Sequence, residues 1–194
     1  MGRKPYTKEM RDSKRREILD AAEALVLEEG MGSATMRVIG GRVGISSMTL
    51  YLYFEGREDV LGHLAARGYK ELVKTIGSVK QTGDASARLG TLVNGYLKWG
   101  RENARMFELM HSGDVSGHDL VQEGQAQIGG NFAAVVTNLM GASADGEVIA
   151  GVKCTLDLLV SVVFRTLGET TAELAESDGL LLRFLRGGLL ALKG

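Results

Sequence analysis

Apolar residues recur along almost the whole chain at the three- and four-residue spacing of amphipathic helices. The first such segment runs from Ser13 to Glu29. Two short helices are predicted after Thr35 and Ser46, and a longer one from Arg57 to about Val79. Further helices are predicted at about 85–101, 103–111, 119–141, 146–167 and 178–192, with a loop at 81–84. No segment alternates as a strand would, so the pattern predicts an all-α fold.

The two short helices carry a recognisable arrangement of caps and core residues. Thr35 and Ser46 can each cap a helix, because a hydroxyl oxygen accepts a hydrogen bond from a free amide of the first turn. Between the helices lies a tight turn that contains Gly44. In the second helix Leu50 and Phe54 share one face at i, i+4. Two short helices joined by such a turn predict a helix-turn-helix.

Composition supports a helical protein outside the membrane. The only proline is Pro5, so few breaks are imposed on the rest of the chain. One cysteine, Cys154, excludes an intramolecular disulfide, and we expect it to be a buried core thiol. The N-terminus lacks the apolar segment of a signal peptide, and the longest apolar stretch, at 156–164, is too short to span a bilayer. We therefore expect a cytoplasmic protein without a membrane partner.

Charge is concentrated at one end of the chain. The formal net charge is only −1, yet residues 1–16 hold seven Lys and Arg against Glu9 and Asp12. This pattern is typical of a protein whose DNA contacts are confined to one end. Charge alone equally permits a solvated tail.

Six short elements follow one another between residues 15 and 61: Arg16–Ala22, Thr35–Arg37, Val43–Ser46, Thr49–Tyr51, Tyr53–Phe54 and Arg57–Leu61. With these elements the segment closely resembles the DNA-binding domain of the TetR family of bacterial regulators. Their order and spacing match the family over about 47 of 194 residues. Several coincident elements are a far more specific signal than one short motif.

The resemblance implies a set of DNA contacts at the matching positions. Thr35 and the amides after it would bind a phosphate, Arg37 would lie near the same strand, and Arg57 would point at the DNA backbone. The full set of candidate DNA-binding residues is Thr35, Arg37, Ser46, Ser47, Met48, Thr49, Tyr51, Tyr53 and Arg57. Two alternatives stay open: surface packing for Tyr51, and pairing of Arg57 with Glu58 or Asp59.

Three positions depart from the family pattern. Ser47 stands where a basic residue is frequent, which predicts fewer phosphate contacts and a shallower salt dependence. Met48 replaces a small residue and would either contact thymine methyl groups or push the helix outwards. Gly40 and Gly41 replace better helix formers, which predicts a helix weakened by about 1–2 kcal/mol.

A second region resembles a ligand-lining segment of some TetR-family effector domains. Bulky side chains concentrate between residues 96 and 110, and apolar pockets with few polar groups are typical of ligand sites. The candidate ligand-binding residues are Tyr96, Trp99, Phe107, Met110 and His111. For any one aromatic residue, an ordinary core position is the alternative. The histidines have no metal-ligand spacing with one another or with Cys154, so no metal or cofactor is expected.

The last two predicted helices favour self-association. They are apolar over more than one stripe, at Val148, Val152, Leu156, Leu159, Val163 and Leu167, then Leu181, Phe184, Leu185, Gly188 and Leu192. A helix that is apolar nearly all round must be covered from several sides. In the family, such helices pair into an intersubunit four-helix bundle, so a homodimer is expected.

Together these features predict a ligand-responsive transcriptional regulator that is not an enzyme. Residues 1–56, with a basic arm at 1–16, would bind double-stranded operator DNA, and residues 57–194 would bind the effector and dimerise. We expect a repressor that binds a palindromic operator and is released by a small apolar or aromatic molecule. A helical enzyme or carrier is the first rival, but a nucleophile–base set is missing. A DNA-binding protein without any effector is the second.

Overall fold

The computed structural model describes residues 7–78, 84–140, 146–169 and 171–191, and the regular structure within these ranges is entirely helical. The all-α prediction is confirmed. The helices are α1 (Lys8–Glu29), α2 (Met36–Arg42), α3 (Ser47–Leu50), α4 (Arg57–Ser78), α5 (Ala85–Glu102), α6 (Ala104–Met110), α7 (Asp119–Met140), α8 (Gly146–Arg165) and α9 (Thr171–Ala191), with a 3₁₀ turn at Met31–Ser33.

Two helices begin earlier than the apolar pattern predicts. Helix α1 starts at Lys8 rather than Ser13, because the Thr7 hydroxyl oxygen accepts a hydrogen bond from the Met10 amide at 3.3 Å. Helix α9 starts at Thr171 rather than 178. The extension of α1 at 8–12 is mostly charged, and the extension of α9 at 171–177 has Leu174 as its one large apolar residue, so neither carries a clear apolar stripe. Of the loop predicted at 81–84, residues 81–83 lie outside the described residues, and Asp84 caps α5 by accepting from the Ala87 amide at 2.8 Å.

The chain divides into two compact units. The first contains Met1–Gly68 together with Arg105–Gln122, and the second contains Tyr69–Ala104 and Glu123–Gly194. The segment at 105–122 thus belongs to the unit that contains the helix-turn-helix, which no local pattern indicates. The predicted functional division after residue 56 stays a prediction.

The first unit is built on apolar side chains from α1 to α4. Ile18, Leu25, Ile39, Leu50 and Leu61 are completely buried. They lie at the helical spacings that the sequence pattern indicates, so burial of these stripes holds the short helices α2 and α3, which are too short to be stable alone.

In the second unit, a polar cluster connects α5, α9 and the residue that follows α8. Arg101 on α5 makes a bidentate ion pair with Asp178 on α9, both N–O distances being 2.8 Å. Its Nε also donates to the Thr166 hydroxyl, 2.9 Å away, just after α8. Bidentate pairing fixes the geometry of both partners, so three segments distant in sequence are held together here.

Helix α8 has one buried face, formed by Val152, Thr155, Leu159 and Val163. Cys154 lies off this face and is exposed, so the prediction of a buried core thiol is wrong. The error arose because an apolar segment does not show which of its sides faces the core. None of the described helices is long and apolar enough to cross a membrane.

Candidate DNA-binding interface

Helices α2 and α3 and the turn between them form the predicted helix-turn-helix. Helix α3 comprises only Ser47–Leu50, and the chain continues in hydrogen-bonded turns: Tyr53 and Phe54 each donate a backbone N–H to the Leu50 carbonyl, at 2.9 and 3.2 Å. Residues 47–54 are called the recognition segment below. Leu50 and Phe54 are buried as predicted.

Two glycines make the turn possible. Gly44 has a φ of +67°, a left-handed conformation that suits glycine. The Ile45 amide donates to the Gly40 carbonyl at 2.9 Å, and a Cβ at Gly40 would lie 2.7 Å from the Ile45 carbonyl oxygen. Gly40 is therefore needed for close packing of the turn. The prediction that both glycines weaken α2 stays a prediction; Gly40 has this additional packing role, whereas a Cβ at Gly41 would meet no atom within 4 Å.

Apolar side chains dominate the outer surface of the recognition segment. Met48 is 77% exposed, Leu52 69% and Tyr51 54%. These three large side chains lie outside the core, whereas Leu50, which lies between them in sequence, is fully buried. Exposed apolar groups that cluster in this way mark an interaction surface rather than a random exposure.

The caps of α2 and α3 are both hydroxyl residues, and both residues are exposed. Thr35 accepts from the Val38 amide at 3.3 Å, and Ser46 accepts from the Thr49 amide at 3.0 Å. Each hydroxyl also carries one proton to donate. The Ser46 and Thr49 hydroxyls lie 2.9 Å apart and share one hydrogen bond. In the Thr35 cap the hydroxyl oxygen acts as an acceptor. Its proton can still be donated to a phosphate.

The other predicted DNA-binding residues differ in exposure. Arg37 and Ser47 are exposed, whereas Thr49 and Tyr53 are half-buried. For Arg37, the described part of the chain offers no ion-pair partner within range. Its cationic group is thus available to an external anion.

Basic residues of α1 contact the ends of the helix-turn-helix. Arg11 donates to the Leu52 carbonyl at 3.1 Å, and Arg15 donates to the Tyr53 carbonyl. The Arg15 guanidinium also stacks over the Phe54 ring, 4.1 Å from its centroid. Cations commonly satisfy carbonyls left free at helix ends. Arg11 and Arg15 therefore have a structural role, which differs from both the DNA-contact and the solvated-tail interpretations of the basic N-terminus. Residues 1–6 lie outside the described residues.

Arg57 lies at the start of α4 but its guanidinium has partners within the first unit. It pairs with Asp114 at 2.9 Å and donates to the Met31 carbonyl at 3.1 Å. Of the two alternative partners, Glu58 lies 4.0 Å from the guanidinium, and the Asp59 carboxylate lies beside His63 and His118 instead. Arg57 thus connects α4 to the segment after α6 and to the 3₁₀ turn.

A cluster that sequence spacing did not predict lies beside the recognition segment. Asp59 and His63, on α4, meet His118, which directly precedes α7; one candidate ligand atom from each lies within 4.8 Å of the others. Burial lowers the pKa of His63, although the nearby Asp59 carboxylate opposes this. The i, i+4 pair on one helix was readable in the sequence, but the approach of His118 is a long-range contact.

The five candidate ligand-binding residues are divided between the two units. Tyr96 and Trp99, in the second unit, are 2% and 5% exposed, and Tyr96 packs edge-on against Phe132. Burial raises the pKa of Tyr96 far above its usual value.

Phe107, Met110 and His111 belong to the first unit. Phe107 and Met110 are buried, and the His111 ring lies against the Phe107 ring with its Nδ1 2.9 Å from the Phe107 carbonyl. Burial lowers the pKa of His111. A role of the five residues in ligand binding stays a prediction.

The apolar positions predicted for dimerisation separate into two groups. Val152, Leu159, Val163, Leu181 and Leu185 are buried within the second unit, and Leu156 is half-buried. Leu167 and Phe184 are 41% and 70% exposed, with Phe164 and Leu180 at 40% and 55%. The side chains of Val148, Gly188 and Leu192 lie outside the described residues.

Taken together, a capped two-helix motif with a buried inner stripe and an exposed outer stripe defines a helix-turn-helix DNA-binding protein. Residues 18–64 match the model of the family described as bacterial regulatory proteins, tetR family. Residues 18–64 thus form a DNA-binding domain of the tetR family. No protein of curated function matches the chain.

Solved structures share the fold over nearly the whole chain. The fatty acid degradation regulator FadR from Bacillus halodurans is 21% identical, with a TM-score of 0.68 and coverage of 89% of this chain and 98% of that chain. FadR from Bacillus subtilis, solved in complex with stearoyl-CoA, is 16% identical, with a TM-score of 0.69 over 89% and 98%. PfmR from Thermus thermophilus, a TetR-family regulator, is 22% identical, with a TM-score of 0.62 over 86% and 97%. At these identities the likeness shows the fold alone.

Proposed function

We propose that this protein is a ligand-responsive repressor whose recognition segment reads operator DNA in the major groove. The observation that carries the proposal is the exposed stripe of Met48, Tyr51 and Leu52 on a segment whose opposite side is anchored by Leu50 and Phe54. A recognition helix needs this division between an inner and an outer stripe. Methionine and leucine side chains would contact thymine methyl groups, and Tyr51 would reach a base or phosphate.

Selection of the operator from random duplex DNA by the full-length protein tests this proposal. We expect enrichment of one sequence with two-fold symmetry over roughly 15–20 base pairs, the span of two half-sites in successive major grooves. Recovery of no enriched sequence would contradict it. Because Ser47 replaces a basic residue, the dependence of affinity on salt should be shallow for a dimer of this size.

The role of Arg57 can be decided against the same operator. A direct phosphate contact requires Arg57 to leave Asp114, so Asp114→Asn should preserve or raise affinity while Arg57→Ala lowers it and reduces the salt slope by about one unit. If Arg57 acts only by pairing with Asp114, both substitutions should weaken binding alike and leave the slope unchanged. Measuring both variants over a salt series separates these roles.

The proposed functional form is a homodimer. The supporting observation is the exposure of Phe164, Leu180 and Phe184 on α8 and α9, beside a groove lined by Leu158 and Leu181. A second copy of this chain is the partner that the family arrangement provides, since its members pair through these helices. Two copies would also supply the two helix-turn-helix motifs that a palindromic operator needs.

The proposed effector is a small apolar or aromatic molecule that releases the DNA. Support comes from the buried aromatic residues Tyr96 and Trp99 and from FadR of Bacillus subtilis, a structural neighbour solved with stearoyl-CoA. Helix α4 is continuous from Arg57 to Ser78, and we propose that it transmits the effect of the ligand to the DNA-binding domain. A ligand must prefer the DNA-incompetent state by several kcal/mol to empty the operator.

Trp99 is the only tryptophan and therefore a specific reporter of this effector site. Titration of apolar metabolites should change Trp99 fluorescence and lower operator affinity over the same concentration range, because the two equilibria are linked. A compound that changes the fluorescence at saturation but leaves operator affinity unchanged would favour the rival, a DNA-binding protein without effector control. Among the described residues we find no nucleophile–base set, and we propose no enzymatic role.

A further inference from the structure

We infer that Asp59, His63 and His118 form a binding site for a divalent transition-metal ion of the zinc class, beside the recognition segment. All three residues belong to the first unit. Two imidazoles and one carboxylate are a ligand set that such ions prefer, with one position left for water or another ligand. The site is independent of the proposed function, because it rests on the geometry of the cluster alone.

The distances fit a shared ion better than hydrogen bonds. The Asp59 Oδ1 atom lies 3.4 Å from His63 Nε2 and 3.3 Å from His118 Nε2. Donor atoms at about 2.0–2.1 Å from a tetrahedral ion are about 3.3–3.4 Å apart. Hydrogen bonds between nitrogen and oxygen are usually about 2.7–3.2 Å long. Two edges of a tetrahedral site are thus already present.

The contacts of His63 also place an unprotonated ring nitrogen beside Asp59. Arg15 Nη2 lies 2.9 Å from His63 Nε2, and because a guanidinium has only donors, Nε2 must be the acceptor, with its lone pair directed at Arg15. The same nitrogen lies 3.4 Å from Asp59 Oδ1, and because it carries no proton it cannot donate a hydrogen bond to that oxygen. At present Arg15 supplies positive charge to this pair. A metal ion would supply it directly.

The surroundings hold the ligands in place. The second carboxylate oxygen of Asp59 accepts from the Glu55 amide at 2.9 Å, which leaves Oδ1 turned towards the histidines. A Cβ at Gly62 would overlap the His118 ring, so only glycine at this position lets His118 approach α4 this closely. The glycine therefore contributes to the site without offering a ligand atom.

An acidic groove leads to the cluster. Asp59 and His118 lie on its wall, together with Glu55, Glu58, Asp114 and Asp119. A cleft lined by charge of one sign concentrates ions of the opposite sign. The groove therefore favours capture of a divalent cation over an anion or an apolar ligand.

Titration of the full-length, tag-free protein with CoCl₂ tests the inference, because a tetrahedral cobalt site has intense visible absorption. We expect one ion per chain, displaced by ZnCl₂. Asp59→Asn and His118→Asn should each weaken binding about 100-fold, since each loses one of three protein ligands. Far-UV circular dichroism checks that the variants fold.

Two further variants distinguish a metal site from a purely structural cluster. Gly62→Ala should weaken cobalt binding about 10-fold by displacing His118, whereas Gly77→Ala on the same helix, where a Cβ meets no atom within 4 Å, should leave it unchanged. Arg15→Gln should tighten binding several-fold, because it removes a cation from His63 Nε2. A structural role for the cluster does not predict tighter binding in any variant.

The inference is overturned if cobalt binds the wild-type protein more weakly than about 1 mM, or if Asp59→Asn and His118→Asn bind it as the wild type does. The result does not depend on finding an operator.

Discussion

Gly40 and Gly41 are adjacent in α2 yet have opposite physical roles. Gly40 admits the Ile45 carbonyl to the surface of the helix, whereas Gly41 is exposed with open space around it. The usual cost of a helical glycine, its conformational freedom when unfolded, applies to both. At Gly40 this cost is accepted because any side chain would collide with backbone.

We therefore expect opposite effects on stability from one methyl group. Gly40→Ala should lower the free energy of unfolding by about 1–3 kcal/mol through overpacking, and Gly41→Ala should raise it by about 0.5–1 kcal/mol. Urea denaturation followed by circular dichroism measures both. Equal effects of the two substitutions would contradict the close approach at Gly40.

Within the recognition segment, we expect the exposed side chains to contact DNA and the buried side chains to stabilise the fold. Tyr51→Ala and Met48→Ala should weaken operator binding while leaving the melting temperature within about 2 °C, because both side chains are exposed. Leu50→Ala should destabilise the protein by about 2–5 kcal/mol, since it leaves a cavity at a fully buried position. Thermal unfolding and operator titration on the same samples make the comparison. Loss of stability in Tyr51→Ala would favour the packing alternative for that residue.

At the scale of elements, short helices depend on groups from elsewhere in the chain. Helix α3 has one turn, and carbonyls at the end of the recognition segment accept from Arg11 and Arg15 of α1. The second unit uses the Arg101–Asp178 pair in the same way to hold α9 against α5. Neither contact follows from local periodicity.

Breaking the pair between α5 and α9 should destabilise the second unit. Asp178→Asn removes the partner charge of the largely buried Arg101, and we expect a loss of about 1–3 kcal/mol. The matched control is Glu176→Gln on the same helix, where the side chain is exposed and little change is expected. Chemical denaturation provides the values. The double variant Arg101→Met with Asp178→Leu should recover part of the loss, since no uncompensated charge remains.

At the scale of the whole molecule, the exposed apolar residues of α8 and α9 are what the proposed assembly would cover. Phe184 is 70% exposed, and Leu180, one turn earlier on the same helix, is 55% exposed. Such exposure is typical of a surface that a second chain covers.

Phe184→Asp should convert the proposed homodimer into a monomer, because a charge would be buried without a partner at the interface. Sedimentation velocity at micromolar concentration measures the mass directly. The control is Leu27→Glu on α1, an exposed apolar residue of the first unit that should leave the mass unchanged. A monomeric wild-type protein would refute the assembly.

Local patterns in the sequence were sufficient for the helical class, the caps Thr35 and Ser46, and the inner stripe of Leu50 and Phe54. Helix periodicity and capping depend on residues at most a few positions apart, so they can be read from sequence directly. The TetR resemblance added the family and a set of candidate DNA contacts.

The tertiary structure alone decided which side chains meet across long separations. It joined 105–122 to the helix-turn-helix unit, directed Arg57 towards Asp114, and brought His118 onto Gly62 beside Asp59. It also showed that Cys154 faces outwards. These outcomes depend on how helices pack, and an apolar stripe identifies a buried face without identifying what covers it.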